Sequence, residues 1–100
     1  MLNQIVLIGR IKEMLEKDNK KEILLEVERP FKENNKKESD VFKCKAWSCI
    51  FNKVLNLCNI GDILAIKGRV IKDNNEFIVH SESIMILNKY RDNILKNNNI

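Results

Sequence analysis

Between Asp40 and Asp62 the chain reads DVFKCKAWSCIFNKVLNLCNIGD, and inside that stretch the period of its apolar residues changes. From Val41 to Trp47 the pattern alternates. Phe42, Cys44 and Ala46 lie on one face of a strand, and Lys43, Lys45 and Trp47 on the other. From Ser48 the spacing becomes helical: Ser48 reads as an N-cap, and Ile50, Phe51, Val54, Leu55 and Cys58 form one stripe. Asn59 to Asp62 closes the helix, with Gly61 suited to a left-handed cap. A single helix therefore follows directly on a strand.

Outward from that junction, every other periodic segment has a strand pattern. Leu2 to Ile11 is rich in Ile, Val and Leu and alternates loosely, with Gly9 expected to mark a bulge or bend. Lys12 to Lys21 is polar and reads as a turn. Glu22 to Arg29 is a second strand, closed by Pro30, with Ile23, Leu25 and Val27 on one face and Glu22, Leu24, Glu26 and Glu28 on the other. Lys32 to Ser39 is a solvated loop. Ile63 to Ile71 and Phe77 to Leu87 are the fourth and fifth strands, joined by a tight turn whose Asn74 and Asn75 tolerate positive φ. The order strand, strand, strand, helix, strand, strand predicts an all-β fold with one helix. It is the order of the OB-fold, a five-stranded Greek-key barrel. Residues 1–88 are expected to form this domain and residues 89–100 a polar C-terminal tail, a frayed helix or a disordered end.

The bulk numbers agree with one small domain. The chain has 100 residues, 44% hydrophobic and 32% charged, which describes an ordinary folded globule. No apolar run approaches the ~20 residues of a membrane helix. The opening MLNQIVLIGRIK has neither a preceding basic segment nor a small-residue cleavage site, so the expectation is no signal peptide and a cytoplasmic protein. Cys44, Cys49 and Cys58 are spaced unlike a zinc site and are odd in number, so they read as buried free thiols. No metal and no cofactor is expected. With one histidine, no nucleophile motif and no phosphate loop, nothing in the sequence supports an enzyme. His80 reads as a satisfied or solvent-facing side chain.

The net charge of +4 matters less than where it sits. Lys43, Lys45, Lys53, Lys67, Arg69 and Lys72 stand between Val41 and Lys72 against Asp62 alone. Trp47 shares the wet face of its strand with Lys43 and Lys45. An aromatic ring there can stack a base, worth ~1–3 kcal/mol, while the ammonium groups meet phosphates. The alternative is an indole packed under a loop or in a subunit interface. On the fourth strand, Lys67 and Arg69 repeat the pattern. Glu26 and Glu28 are expected on the same face as Lys43 and Lys45, able to pair with them across strands.

MLNQIVLIGRI (Met1–Ile11), RPFK (Arg29–Lys32), DVFKCKAW (Asp40–Trp47), GDILAIKGRV (Gly61–Val70) and SESIMIL (Ser81–Leu87) resemble the bacterial single-stranded DNA-binding proteins in order and spacing. The resemblance implies an OB-fold, a homo-oligomer (dimer or tetramer), and sequence-independent binding of single-stranded DNA without catalysis. It matches Trp47 to a base-stacking aromatic. It puts Arg10, Lys43, Lys67 and Arg69 on or near the DNA-facing surface, and Phe31 at the base of a hairpin loop where that family wraps the strand. The chain differs from the family at Val41, where an aromatic is usual, in a shorter hairpin IKDNNEF, and in ending ILKNNNI without an acidic tip.

The function expected on these grounds is protection of single-stranded DNA in replication, recombination or repair, with replication proteins as further partners. The alternative is an OB-fold protein-interaction module resembling primosomal replication protein B, with weak nucleic-acid binding. Stacking and phosphate contacts do not separate DNA from RNA.

Overall fold

The first strand runs further than its apolar residues imply. In the computed structural model, which describes residues 1–31 and 34–88, β1 spans Ile5–Lys17 and takes in most of the segment expected to be a turn. The turn is only Asp18-Asn19, both at positive φ (53° and 64°), the geometry of a two-residue hairpin. The strand pattern was hidden by a β-bulge between Ile11 and Glu13. The extra residue, Lys12, changes the parity, so that Ile11 and Met14, three apart, both face the core. Gly9 stands before this bulge. A Cβ on it would run into the carbonyl oxygen of Glu26, so the glycine permits close approach of two strands.

The other elements are β2 (Lys20–Glu28), β3 (Ser39–Lys45), α1 (Ser48–Leu57), β4 (Ile63–Asp73) and β5 (Glu76–Asn88). The strands close into a barrel in the order β1-β2-β3-β5-β4. With α1 between β3 and β4, this is the OB-fold. Four of the strand pairings are antiparallel, and closure comes from a short parallel contact, Cys44 opposite Val79 and Lys45 opposite His80. The tail expected over 89–100 lies outside the described residues.

The inward faces match the alternation in the sequence. Ile23 and Leu25 of β2, Cys44 of β3, and Leu64 and Ile66 of β4 are fully buried. The helix plugs the barrel with Phe51 and Val54, while Leu55, expected on the same stripe, is exposed. Burial pushes the Cys44 thiol up to about 12. Cys58 is also buried, but Cys49 is exposed, against the expectation for all three thiols; it lies on the outward side of the first helical turn.

Two details of the β3–α1 junction differ from the sequence reading. The strand ends at Lys45, and the cap position is occupied by Trp47, in extended geometry (φ −61°, ψ 152°) with no side-chain cap bond. Ser48 is the first helical residue, one position too late to cap. Beyond the helix, Gly61 adopts φ 97° four residues past Leu57, in the turn leading to β4. Its N–H donates to the Ile11 carbonyl (2.9 Å), and the Ile11 N–H donates to the Asp62 carbonyl (2.9 Å), which ties the turn to the bulge of β1. The buried Asp62 carboxylate accepts the Asn59 N–H at 2.8 Å.

Candidate nucleic-acid interface

Trp47 lies at a chain corner between β3 and α1 and is 61% exposed. Its ring meets His80 of β5 at 5.2 Å between centroids, nearly perpendicular at 73°. His80 is in register with Lys45 on one side and Arg69 on the other. Lys45, His80 and Arg69 thus form a row across β3, β5 and β4, with the indole beside it. Lys67 is two residues along β4, exposed on the same outward face.

The two lysines of β3 are already engaged, though not by the acids expected. The Lys45 ammonium donates to the Asp73 carboxylate at 2.6 Å, and that of Lys43 to Glu76 at 3.3 Å. Both acids flank the Asn74-Asn75 turn, directly opposite each other in the β4–β5 hairpin. The hydrogen bond from Lys45 holds the Asp73 carboxyl below the usual carboxylate range. Glu26 and Glu28 do not pair with Lys43 or Lys45. Glu26 stands opposite Val41 in β3, and Glu28 meets Lys37 at 3.2 Å. The residue directly opposite Lys45 in β2 is Glu22.

Arg10 is elsewhere. It lines a hollow of about 510 Å³ with Glu26, Glu28, Lys37, Ser39 and Ile63, and its guanidinium donates to the Gly61 carbonyl at 3.0 Å. Phe31 is exposed at the mouth of the β2–β3 connection. The base of that connection is clamped by Arg29, which donates twice to Asp40 (3.0 and 2.9 Å) and once to Glu38 (2.7 Å). The bidentate hydrogen bond holds the Asp40 carboxyl low and raises the guanidinium. The structure therefore gathers Lys43, Lys45, Trp47, Lys67 and Arg69 on one outward stretch, and keeps Arg10 and Phe31 apart from it.

The sequence reading missed Phe77, Asp73, Glu76 and the placement of His80. Phe77 is 74% exposed, and the Lys72 ammonium lies over its ring at 5.9 Å. The signal was present: with Asn74-Asn75 as a two-residue turn, Lys72 must face Phe77 and Asp73 must face Glu76. The reach of those acids to β3 was not legible, because it depends on the parallel closure of the barrel. Among the described residues no three His, Cys, Asp or Glu side chains gather as a metal ion would require.

No protein-family model matches the chain, and no curated protein sequence matches it. Solved structures do. Rim1, a mitochondrial single-stranded DNA-binding protein of S. cerevisiae, superposes with a TM-score of 0.71 at 13% identity, over 89% of this chain and 99% of that one. A small single-stranded DNA-binding protein of Mycoplasma pneumoniae gives 0.69 at 16% identity, over 85% and 93%. One from Streptomyces coelicolor gives 0.67 at 14%, over 87% and 94%. At these identities the likeness establishes the fold: over most of its length this chain has the OB-fold barrel seen in those structures.

Proposed function

We propose that this protein binds single-stranded DNA without sequence preference, stacking a base on Trp47 and meeting phosphates with Lys43, Lys45, Lys67 and Arg69. The observation that carries this reading is the exposed indole beside a row of cations, since an open tryptophan forgoes apolar burial unless something covers it. The solved structures that share the fold are named as single-stranded DNA-binding proteins, which supports the same reading. Phe77 with Lys72 lies on the other face of the β4–β5 ribbon from Arg69 and His80, and Phe31 and Arg10 stand apart, so these residues serve only a strand that wraps beyond the Trp47 face.

In this reading the protein acts as a homo-oligomer. Val6 and Ile8 of β1 and Met85 and Leu87 of β5 are exposed and apolar, with Ile8, Ala65 and Met85 side by side in register. An apolar patch of this kind fits a second copy of the chain. Its role is to cover DNA opened in replication, recombination or repair, in the cytoplasm, with replication proteins as further partners.

The test is a titration of Trp47 fluorescence with oligo-dT and oligo-rU at low and rising salt, with the mass measured in the same buffer. Quenching that saturates and weakens steeply with salt is the expected result. A flat titration at low salt rejects the reading. A second reading follows from the engagement of Lys43 and Lys45 by Glu76 and Asp73: a protein-interaction module on which nucleic acid binds weakly. Specific capture of a protein by a chain that ignores oligo-dT supports that one.

A further inference from the structure

His80 is the chain's sole histidine, and it stands at the centre of the cationic row. On β3 it faces Lys45, and on β4 it faces Arg69. From the β3–α1 corner it is met by the Trp47 ring. On its own strand the nearest charged residue beyond it is Glu82, set off by the β-bulge that separates Ser81 from Ser83. The row runs on through Lys45 to Glu22 of β2, whose Oε2 is buried without a hydrogen-bond partner, while Asp73, four residues along β4 from Arg69, is engaged by Lys45. The Nδ1 atom of His80 is buried and has no hydrogen-bond partner. The barrel therefore makes no use of that nitrogen, and the ring's polar contacts do not explain why an imidazole is there.

We propose that His80 is a further residue of the strand-binding surface: it positions the Trp47 indole, and it takes up a proton when a phosphate seats between Lys45 and Arg69. The inference rests on the reading of this face as a single-stranded DNA site and adds a regulation to it. Imidazole is the side chain whose charge changes between pH 5 and 8. An anion brought beside the ring favours the imidazolium, as any opposite charge within a few ångströms does. The complex then binds more protons than the free protein, so affinity rises as pH falls. Lys45 and Arg69 face the same phosphate but keep their charge throughout that window, and aspartates and glutamates ordinarily titrate below it. Any other group that titrates in the window is retained by a variant at position 80.

The experiment is a fluorescence titration of the full chain with a 5′-hydroxyl oligo-dT at constant ionic strength, from about pH 8 to about pH 5.5, the window in which imidazole titrates. Wild type is expected to tighten roughly three- to ten-fold across it. His80→Gln is expected to bind with a flat profile, and His80→Lys to bind tightly and flatly. Without oligonucleotide, the Trp47 emission of His80→Gln is expected to differ from that of wild type, because the ring that meets the indole is gone. A wild-type profile that is flat while binding persists overturns the proposal, as does a His80→Gln profile with the wild-type slope. The first of these is read from wild type alone should a variant fail to fold. No binding at any pH removes the single-stranded DNA reading and this proposal together, whereas the emission difference between the two free proteins reports the ring contact independently.

Discussion

The β4–β5 ribbon has two halves that differ in everything except their backbone. From Ile63 to Ala65 and Met85 to Leu87 its outward side is apolar: Ile63 and Ala65 are half-buried, Met85 and Leu87 are exposed, and Ile8 of β1 stands in register with Ala65 and Met85. From Arg69 to Asp73 and Glu76 to His80 the outward side carries a cation, an imidazole and the two acids paired to β3, with Ile71 and Ile78 in register between them. The boundary is the register shift between Lys67 and Gly68, where β5 inserts Glu82. A Cβ at Gly68 would meet the His80 carbonyl, so the glycine lets the bulge close tightly. One hairpin thus carries two surfaces, and a local break in pairing turns one into the other. The apolar half suits a permanent protein partner, and the charged half suits a polyanion that comes and goes.

The largest effect is expected from breaking the apolar half. Ile8→Glu with Met85→Glu buries like charges in a face proposed to meet its own copy. Light scattering should find the monomer mass, with circular dichroism unchanged. Affinity for a long oligo-dT should fall by about a hundredfold, as linked sites become single ones. Trp47 quenching by a short oligonucleotide should survive. An unchanged mass would mean that this half covers something other than a second copy.

Next is Trp47→Ala, the corresponding break in the charged half. Binding to oligo-dT is expected to weaken by ~1–3 kcal/mol, with the mass unaffected. The reverse pattern, intact affinity with a changed mass, would assign the indole to assembly and erase the distinction between the halves.

The halves were not equally legible in the sequence. The fold was, because the inward residues of β2, β3 and β4 alternate cleanly and the helix interrupts them once. The outer part of β1 was not. Beyond Met14 the strand wets both faces, and so carries a turn's composition. Lys43, Lys45, Lys67 and Arg69 could be put on outward faces by counting in twos. Their partners could not, since Asp73 reaches Lys45 only because β3 and β5 pair in parallel over two residues. Glu26 and Glu28 looked like neighbours of those lysines, but the β2–β3 register sets Leu24 and Glu22 opposite Lys43 and Lys45. Glu26 and Glu28 line the hollow with Arg10 instead.

That difference can be sharpened with two variants. Asp73→Asn removes the carboxylate that engages Lys45 and frees a cation beside His80. Affinity at low salt should rise, and the slope of log K against log salt should steepen by about 0.7, the contribution of one more phosphate contact to a single strand. Glu26→Gln with Glu28→Gln changes two charges in the other hollow, and the slope should stay at the wild-type value. Equal effects from both would mean that the strand path crosses the Arg10 hollow too.

The smallest effect is on stability in acid, and it too should divide the halves. Lys45 holds the Asp73 carboxyl low, and Arg29 does the same for Asp40. A carboxylate depressed in the folded state stabilises the fold at pH values above its unfolded value, near 3.9 for aspartate, and loses that contribution as pH falls through the lower, folded value. The midpoint of thermal unfolding should therefore be level near neutrality and decline below about pH 4. Asp73→Asn and Asp40→Asn should each lower the plateau slightly and flatten the decline, because each removes one proton-linked pair. Both pairs are exposed, so the change should shrink in high salt. The Ile8→Glu and Met85→Glu protein should keep the wild-type shape of the acid limb for these two aspartates, since neither lies on the apolar half. A decline that survives both Asn substitutions would put the acid-labile contacts of this barrel elsewhere than in these two pairs.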